Sequence, residues 1–244
     1  MVVCHVLRLK FTAPESFYMT AMPLQLHPMT TEDTLSWTRV RALAYYGPTH
    51  DVVHSGPISE ASIHGVADDR KREIGKPNTW HWKVVDTDLE PSSDDPSDNG
   101  GRTIAVSVWS MHNMQTGGGE EESMPGFLPP ELRLDVLGSL LGPLRAAQAS
   151  IMGTSTPYFM LNQLATHPDH QGRGAGKLML DWGMRKADEE GLVTYLDSTM
   201  TGRPIYERRG FEVVKALEWD RVPWGGEGKD WHGCMVRRAK SVEQ

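Results

Sequence analysis

Residues 167–177 read HPDHQGRGAGK, with glycine at positions 172, 174 and 176 and Arg173 and Lys177 interleaved. Glycine loses more backbone freedom on ordering than any other residue, so this spacing marks a left-handed turn or a close approach to another group. Upstream lies PYFMLNQLAT (157–166), a run of strand composition. Downstream, Ala175, Leu178, Met179 and Trp182 recur at i, i+3, i+4 and i+7, the pattern of an amphipathic helix, which Gly191 closes. A glycine loop between strand and helix gathers backbone N–H groups at a helix start, where the dipole adds positive charge and an anion can sit.

Two familiar phosphate loops do not fit. The dinucleotide pattern G-x-G-x-x-G, begun at Gly172, needs a third glycine where Lys177 stands. The pattern G-x-x-x-x-G-K-[ST] needs a glycine where Gln171 stands and a hydroxyl where Leu178 stands.

Working outward, TWHWKVVDT (79–87) and RTIAVSVWSMH (102–112) are strand-like and enclose the acidic Pro/Ser/Gly stretch 88–101, which predicts a hairpin with a long mobile loop. A short strand and a Thr/Asp-started helix carrying Leu35, Val40, Leu43 and Ala44 follow Met22. Leu134, Leu137, Leu141 and Leu144 predict another helix, with a kink at Gly142-Pro143. LVTYLDST (192–199) reads as a buried strand, and a short helix closed by Gly210 precedes two last strands. Hairpin neighbours alternate with strand–helix–strand units, so the expected class is α/β (α+β) with a mixed sheet flanked by helices. Residues 22–240 are expected to form one domain, with insertions at 88–101 and 113–152 and a poorly ordered extension at 1–21.

The chain has 244 residues, 39% hydrophobic and 23% charged, the composition of a soluble globular protein. A net charge of −7 argues against general nucleic-acid binding and suits a cationic or neutral partner. Cys4 and Cys234 are the two cysteines, so neither a disulfide framework nor a cysteine metal site is expected and a cytoplasmic setting is the default. No apolar run reaches the ~20 residues of a membrane span.

The loop Gln171-x-x-Gly174-x-Gly176, placed after a strand and before a helix, resembles the acyl-CoA pyrophosphate loop of the GNAT family of N-acetyltransferases. A second segment, GRPIYERRGF (202–211), is similar to that family's G-x-x-x-Y-E-x-x-G-F, with Tyr206, Glu207, Gly210 and Phe211 matched. The resemblance covers residues 157–237 well and the N-terminal part through element order. It implies a mostly antiparallel sheet splayed in its middle, acetyl-CoA as co-substrate and no metal. Backbone groups of Leu164, Ala165 and Thr166 would pair with the pantetheine arm. Gln171, Gly172, Arg173, Gly174, Ala175, Gly176 and Lys177 would cradle the phosphates, and Tyr206 would contact the cofactor and protonate the departing thiolate.

The family's strand carboxylate is missing: Asn162 and Gln163 stand at its positions, and an amide accepts no proton usefully near neutral pH. A water held by Asn162 or Gln163, or His112 at the end of the 102–112 strand, is the expected substitute. His50 and His54 are four apart but lack the glutamate of H-E-x-x-H and read as structural. Of the eight tryptophans, Trp80, Trp82 and Trp109 are expected in the core, while Trp224 and Trp231 occupy a glycine-rich loop suited to an aromatic or cationic amine. The expected activity is acetyl transfer to a primary amine of a small molecule, by a monomer or homodimer. A protein N-terminal or lysine acetyltransferase and a silent acyl-CoA-binding module are the alternatives.

Overall fold

The structure, a computed structural model, describes residues 23–114 and 126–240. The expected N-terminal extension lies outside the described residues, as does the 115–125 part of the second insertion.

Strands form where β-branched and aromatic residues concentrate. They are β1 (Leu24–Pro28), β2 (Thr79–Asp86), β3 (Arg102–His112), β4 (Tyr158–Thr166), β5 (Val193–Thr199), β6 (Glu212–Asp220) and β7 (Lys229–Arg237). One sheet holds all seven in the order β1-β2-β3-β4-β5-β7-β6. Only β4 and β5 are parallel; the other neighbours are antiparallel. The helices are α1 (Thr34–Ala44), α2 (Pro48–Val53), α3 (Glu60–Arg70), α4 (Leu134–Met152), α5 (Ala175–Glu189) and α6 (Arg203–Glu207).

Side-chain alternation splits the core between the two faces of the sheet. Val106 and Val108 of β3 pack on Trp37 of α1, whereas Trp109 turns the other way, among Phe159, Leu161 and Leu180 under α5. The approach of α5 is close: a Cβ on Gly183 would lie 2.2 Å from the Trp109 ring. Trp80 and Trp82 pack beside Trp182 in the same cluster, as expected of core aromatics. On the first face α4 covers Tyr158, Tyr195 and Cys234 through Val136, Leu140, Leu144 and Ala147. That helix runs without interruption through Pro143.

The sequence gives no hint of α2 or α3. Helix α3 buries Ser62, Ile63, Ala67 and Arg70, a face with Ile63 as its one large apolar residue, which leaves little apolar period to read. Its Arg70 lies 4.1 Å from the Trp37 ring centre, a cation–π contact in place of hydrophobic packing. The 88–101 loop differs from the mobile one expected: Asp94 accepts from Arg39 Nε at 2.7 Å, and the Asp95 carboxylate bonds Ser92 and Thr103. Asn99 meets Lys83, whose ammonium pairs with the buried Asp33 at 2.5 Å. A satisfied polar network thus fastens the loop to β2 and α1.

The feature that positions the site is where β4 and β5 part. Their ladder has four rungs, from Tyr158↔Val193 to Leu161↔Leu196, and then ends. Beyond it β4 stays paired to β3 as far as Thr166, and β5 to β7 as far as Thr199. A bulge sits at the parting: Trp109 faces Leu161 and Val108 faces Gln163, leaving Asn162 as the extra residue. Bulges bend a strand and re-aim a side chain, and this one coincides with the splay.

Candidate active site

The gap between the diverging strands opens into a cavity of about 760 Å³. Its walls include β4 from Leu161 to Thr166, the glycine loop, Asp197 and Thr199 of β5, Tyr206 of α6, and Ala44 and Tyr45 at the end of α1. Most residues singled out from the sequence meet here: Asn162, Leu164, Ala165, Thr166, Gln171, Gly172, Gly174, Ala175, Gly176, Lys177 and Tyr206. Past Leu161 the edge of β4 that faces β5 carries backbone groups with no strand beside them, so a chain with amide groups can lie there as an added strand would.

The loop uses its glycines as conformational devices. Gly172 and Gly174 adopt φ of 76° and 98°, the left-handed region that a side chain disfavours. Gly174 precedes α5 with no side-chain cap among the described residues, so the first turn of this 15-residue helix, whose N–H groups have no intrahelical acceptor, borders the cavity. Such an end binds an anion.

The two basic residues of the loop are placed differently from expectation. Arg173 is not among the cavity walls: it pairs with Asp86 of β2 at 2.5 Å, and Asp86 is fully buried. Its other nitrogen meets His170 Nδ1 at 3.1 Å. Arg173 therefore ties the loop to the sheet. Lys177 lines the cavity but pairs with Asp181 one turn along α5.

Tyr206 stands at the parting, 8% exposed, with Phe211 against its ring edge at 5.9 Å. Burial, and after it the nearby Tyr45 phenol, raises its pKa above the ordinary tyrosine value, against the pull of Arg209. The group is thus a neutral phenol at neutral pH, with its proton available. Room for it comes from Gly202, where a Cβ would lie 3.3 Å from the Tyr206 ring.

His112 does not line the cavity. It connects to it through β3: Asn162 Nδ2 donates to Ser110 Oγ at 2.7 Å, and that hydroxyl bonds His112 Nε2 at 2.8 Å. His112 stacks on Tyr158 at 4.9 Å, and burial lowers its pKa, so it is neutral near pH 7. Ser110 Oγ accepts from Asn162 in either neutral tautomer of His112, which leaves Asn162 Oδ1 for a group in the cavity. Gln163 is held by Trp37, whose indole donates to Oε1 at 3.3 Å.

The residue that sequence reasoning missed is Asp197, the one carboxylate among the described residues lining the cavity. In the sequence it is a lone acid in a buried strand. Its position follows from the ladder: Asn162 and Asp197 are the first residues beyond the last rung, one on each diverging strand. Tyr195 OH donates to Asp197 Oδ1 at 2.7 Å. Burial raises its pKa above the ordinary aspartate value, against the lowering effects of Tyr195, Cys234 and His232.

Trp224 and Trp231 do not line the cavity. Trp224 packs at the rim of the α4 cluster, and Trp231 lies under Arg203, whose guanidinium is 5.4 Å from the ring centre. His50 and His54 stack on each other at 4.2 Å beside Tyr46.

This geometry has a counterpart in known proteins: the acetyltransferase (GNAT) domain family matches residues 142–213, from within α4 to the start of β6. GNAT is thus the family to which residues 142–213 are similar. Solved structures share its fold. The C-terminal condensation domain of Ebony, in complex with beta-alanyl-dopamine, superposes with a TM-score of 0.62 at 10% identity, over 90% of this chain and all (100%) of that one. The mosquito protein arylalkylamine N-acetyltransferase like 5b reaches 0.55 at 12% identity, covering 88% of this chain and 99% of its own. A histone acetyltransferase HPA2-related protein of Corynebacterium glutamicum reaches 0.54 at 16%, covering 91% and 100%. The mixed, mostly antiparallel sheet with its open middle is the GNAT fold, and an acetyl-CoA-dependent N-acetyltransferase is the enzyme class that domain and fold support. No helix among the described residues is long and apolar enough to cross a membrane.

Proposed function

We propose that residues 22–240 act as a single catalytic domain that moves an acetyl group from acetyl-CoA to a primary amine of a small molecule, by direct attack within a ternary complex. One observation carries the reading: a free strand edge and an uncapped helix N-terminus, the two backbone features that would receive a pantetheine arm and a pyrophosphate, border one cavity with a buried phenol between them. Residues 164–166 would hold the arm and bring an amide to the thioester oxygen, where a donor stabilises the charge of the tetrahedral intermediate. The glycine loop would hold the diphosphate.

Tyr206 acts as general acid to the leaving thiolate. A free thiol near pKa ~8.5 is a weaker base than a phenolate, but a thiolate formed in an apolar cavity is desolvated and rises in basicity too. Asn162, oriented through Ser110 and His112, presents an acceptor to the incoming nitrogen. Tyr45, on the acceptor side of the cavity, supports an aromatic or cationic amine.

The test is release of free CoA thiol from acetyl-CoA against a panel of arylalkylamines, polyamines and lysine or N-terminal peptides. Amine-dependent release supports the reading, and release with peptides alone replaces it by protein acetylation. Tight acetyl-CoA binding without release on any acceptor would make the chain a binding module.

A further inference from the structure

We infer that Asp197 is the general base of this transfer, taking the proton from the acceptor ammonium at the point where β4 and β5 part; the inference rests on the function proposed above. Attack needs a neutral nitrogen, while a primary amine near pH 7 is a cation. Some group at the reacting end of the cavity must take that proton. The side chains on the β4 side are Asn162 and Gln163, which cannot. His112 is separated from the cavity by Ser110. His170 lies at the phosphate end, bonded to Arg173. Asp197 remains, directly across the parting from Asn162.

Its setting suits the role. The Tyr195 phenol, itself fully buried, donates to Oδ1, and the carboxylate borders the same cavity as Asn162, which stands on the opposite strand and can grip an ammonium group through Oδ1. From β7 the Cys234 thiol and the His232 imidazole face it, and burial lowers the His232 pKa, so this neighbour is neutral at neutral pH. Across the cavity α1 presents Tyr45, and α6 with the turn after it presents Tyr206, Arg208 and Arg209. Burial raises the Asp197 pKa, which brings its basicity nearer to what deprotonation at neutral pH demands.

The proton and electron balance closes without a further reagent. Asp197 carboxylate takes one proton from R–NH3+, and the nitrogen lone pair forms the C–N bond to the thioester carbon. The tetrahedral intermediate collapses, the C–S bond breaks with its electron pair on sulfur, and the thiolate takes the Tyr206 proton. The surplus nitrogen proton restores the phenol, and Asp197 releases its proton to water.

Because a raised pKa must be passed before the base is available, kcat/KM falls as pH falls through a limb lying above the ordinary aspartate range. The experiment measures kcat/KM for the best amine against pH, together with acetyl-CoA affinity, in wild type, Asp197→Asn and Tyr195→Phe. Asp197→Asn is expected to lose about 10²–10⁴-fold in kcat/KM at neutral pH and to lack the acidic limb, with acetyl-CoA affinity retained. Tyr195→Phe removes a hydrogen bond to the charged form, so its limb moves to higher pH. An Asp197→Asn variant that keeps the wild-type rate or the limb, or that loses acetyl-CoA affinity in parallel with rate, overturns the assignment. A wild-type protein that binds acetyl-CoA and acetylates no amine overturns the underlying function instead.

Discussion

The two walls of the cavity are built from different materials. The wall assigned to the cofactor is backbone: the open edge of β4, the left-handed glycines at 172 and 174, and the bare N–H groups of α5. The wall assigned to the acceptor is side chain: Asn162, Asp197, Tyr206 and Tyr45, drawn from β4, β5, α6 and α1. Backbone groups bind a phosphate or a pantetheine amide whatever residues carry them, provided no Cβ intrudes. Side-chain groups define which acceptor reacts and how fast, and each depends on its own support. Substitutions on the first wall should therefore change cofactor affinity or stability, and those on the second should change turnover.

The sharpest break of that contrast is Tyr206→Phe. Loss of the proton donor is expected to reduce kcat by about 10²–10⁴-fold while acetyl-CoA affinity holds, read by steady-state kinetics and by titration of the cofactor. A variant weakened in affinity instead would move Tyr206 to the cofactor wall. Next is Arg173→Ala, which strips the fully buried Asp86 of its partner. Breaking such a pair costs ~3 kcal/mol, and a chain of this size should lose about 6–12 °C in Tm. A drop in acetyl-CoA affinity at unchanged Tm would return Arg173 to the phosphates.

Gly183→Ala forces a methyl into the Trp109 ring, which is fully buried and stacked on Phe159 at 5.0 Å. Thermal melting is expected to show a loss of ~2 kcal/mol from overpacking, with activity per folded molecule kept. Gly174→Ala imposes a Cβ at φ 98° with open space around it. The backbone strain, about 1–2 kcal/mol, should emerge as an acetyl-CoA affinity weaker by about tenfold. The smallest effect belongs to Trp231→Ala: a ring under Arg203 and outside the cavity should leave the acceptor KM unchanged. A raised KM would extend the acceptor wall to the β6–β7 loop.

The same division explains what could be read from the sequence. A backbone site needs glycine at particular positions and an amphipathic helix after it, and both leave local traces; the loop, α5 and its stop at Gly191, which adopts φ 66°, are where the spacing put them. The strands enclosing the 88–101 stretch were legible for the same reason. Asp197 leaves no trace, because what makes it functional is a ladder that ends after Leu161↔Leu196, and no residue in LVTYLDST announces that. The Arg173 ion pair is hidden for a related reason: its partner Asp86 lies on a strand far away in the chain. Trp224 and Trp231 sit in a loop of the right kind, yet Trp224 turns toward the α4 cluster and Trp231 is covered by Arg203.

The four-rung ladder between β4 and β5 also makes the sheet two half-sheets, β1 to β4 and β5 with β7 and β6, joined by a short parallel seam. A seam so short is a natural line for sub-global opening, and its amides should exchange hydrogen faster than those of β3, which has a neighbour along each edge. A molecule lying along the open edge of β4 would lengthen the seam and act as a staple between the halves. Cofactor supply would then govern how long the protein survives a protease as well as how fast it works.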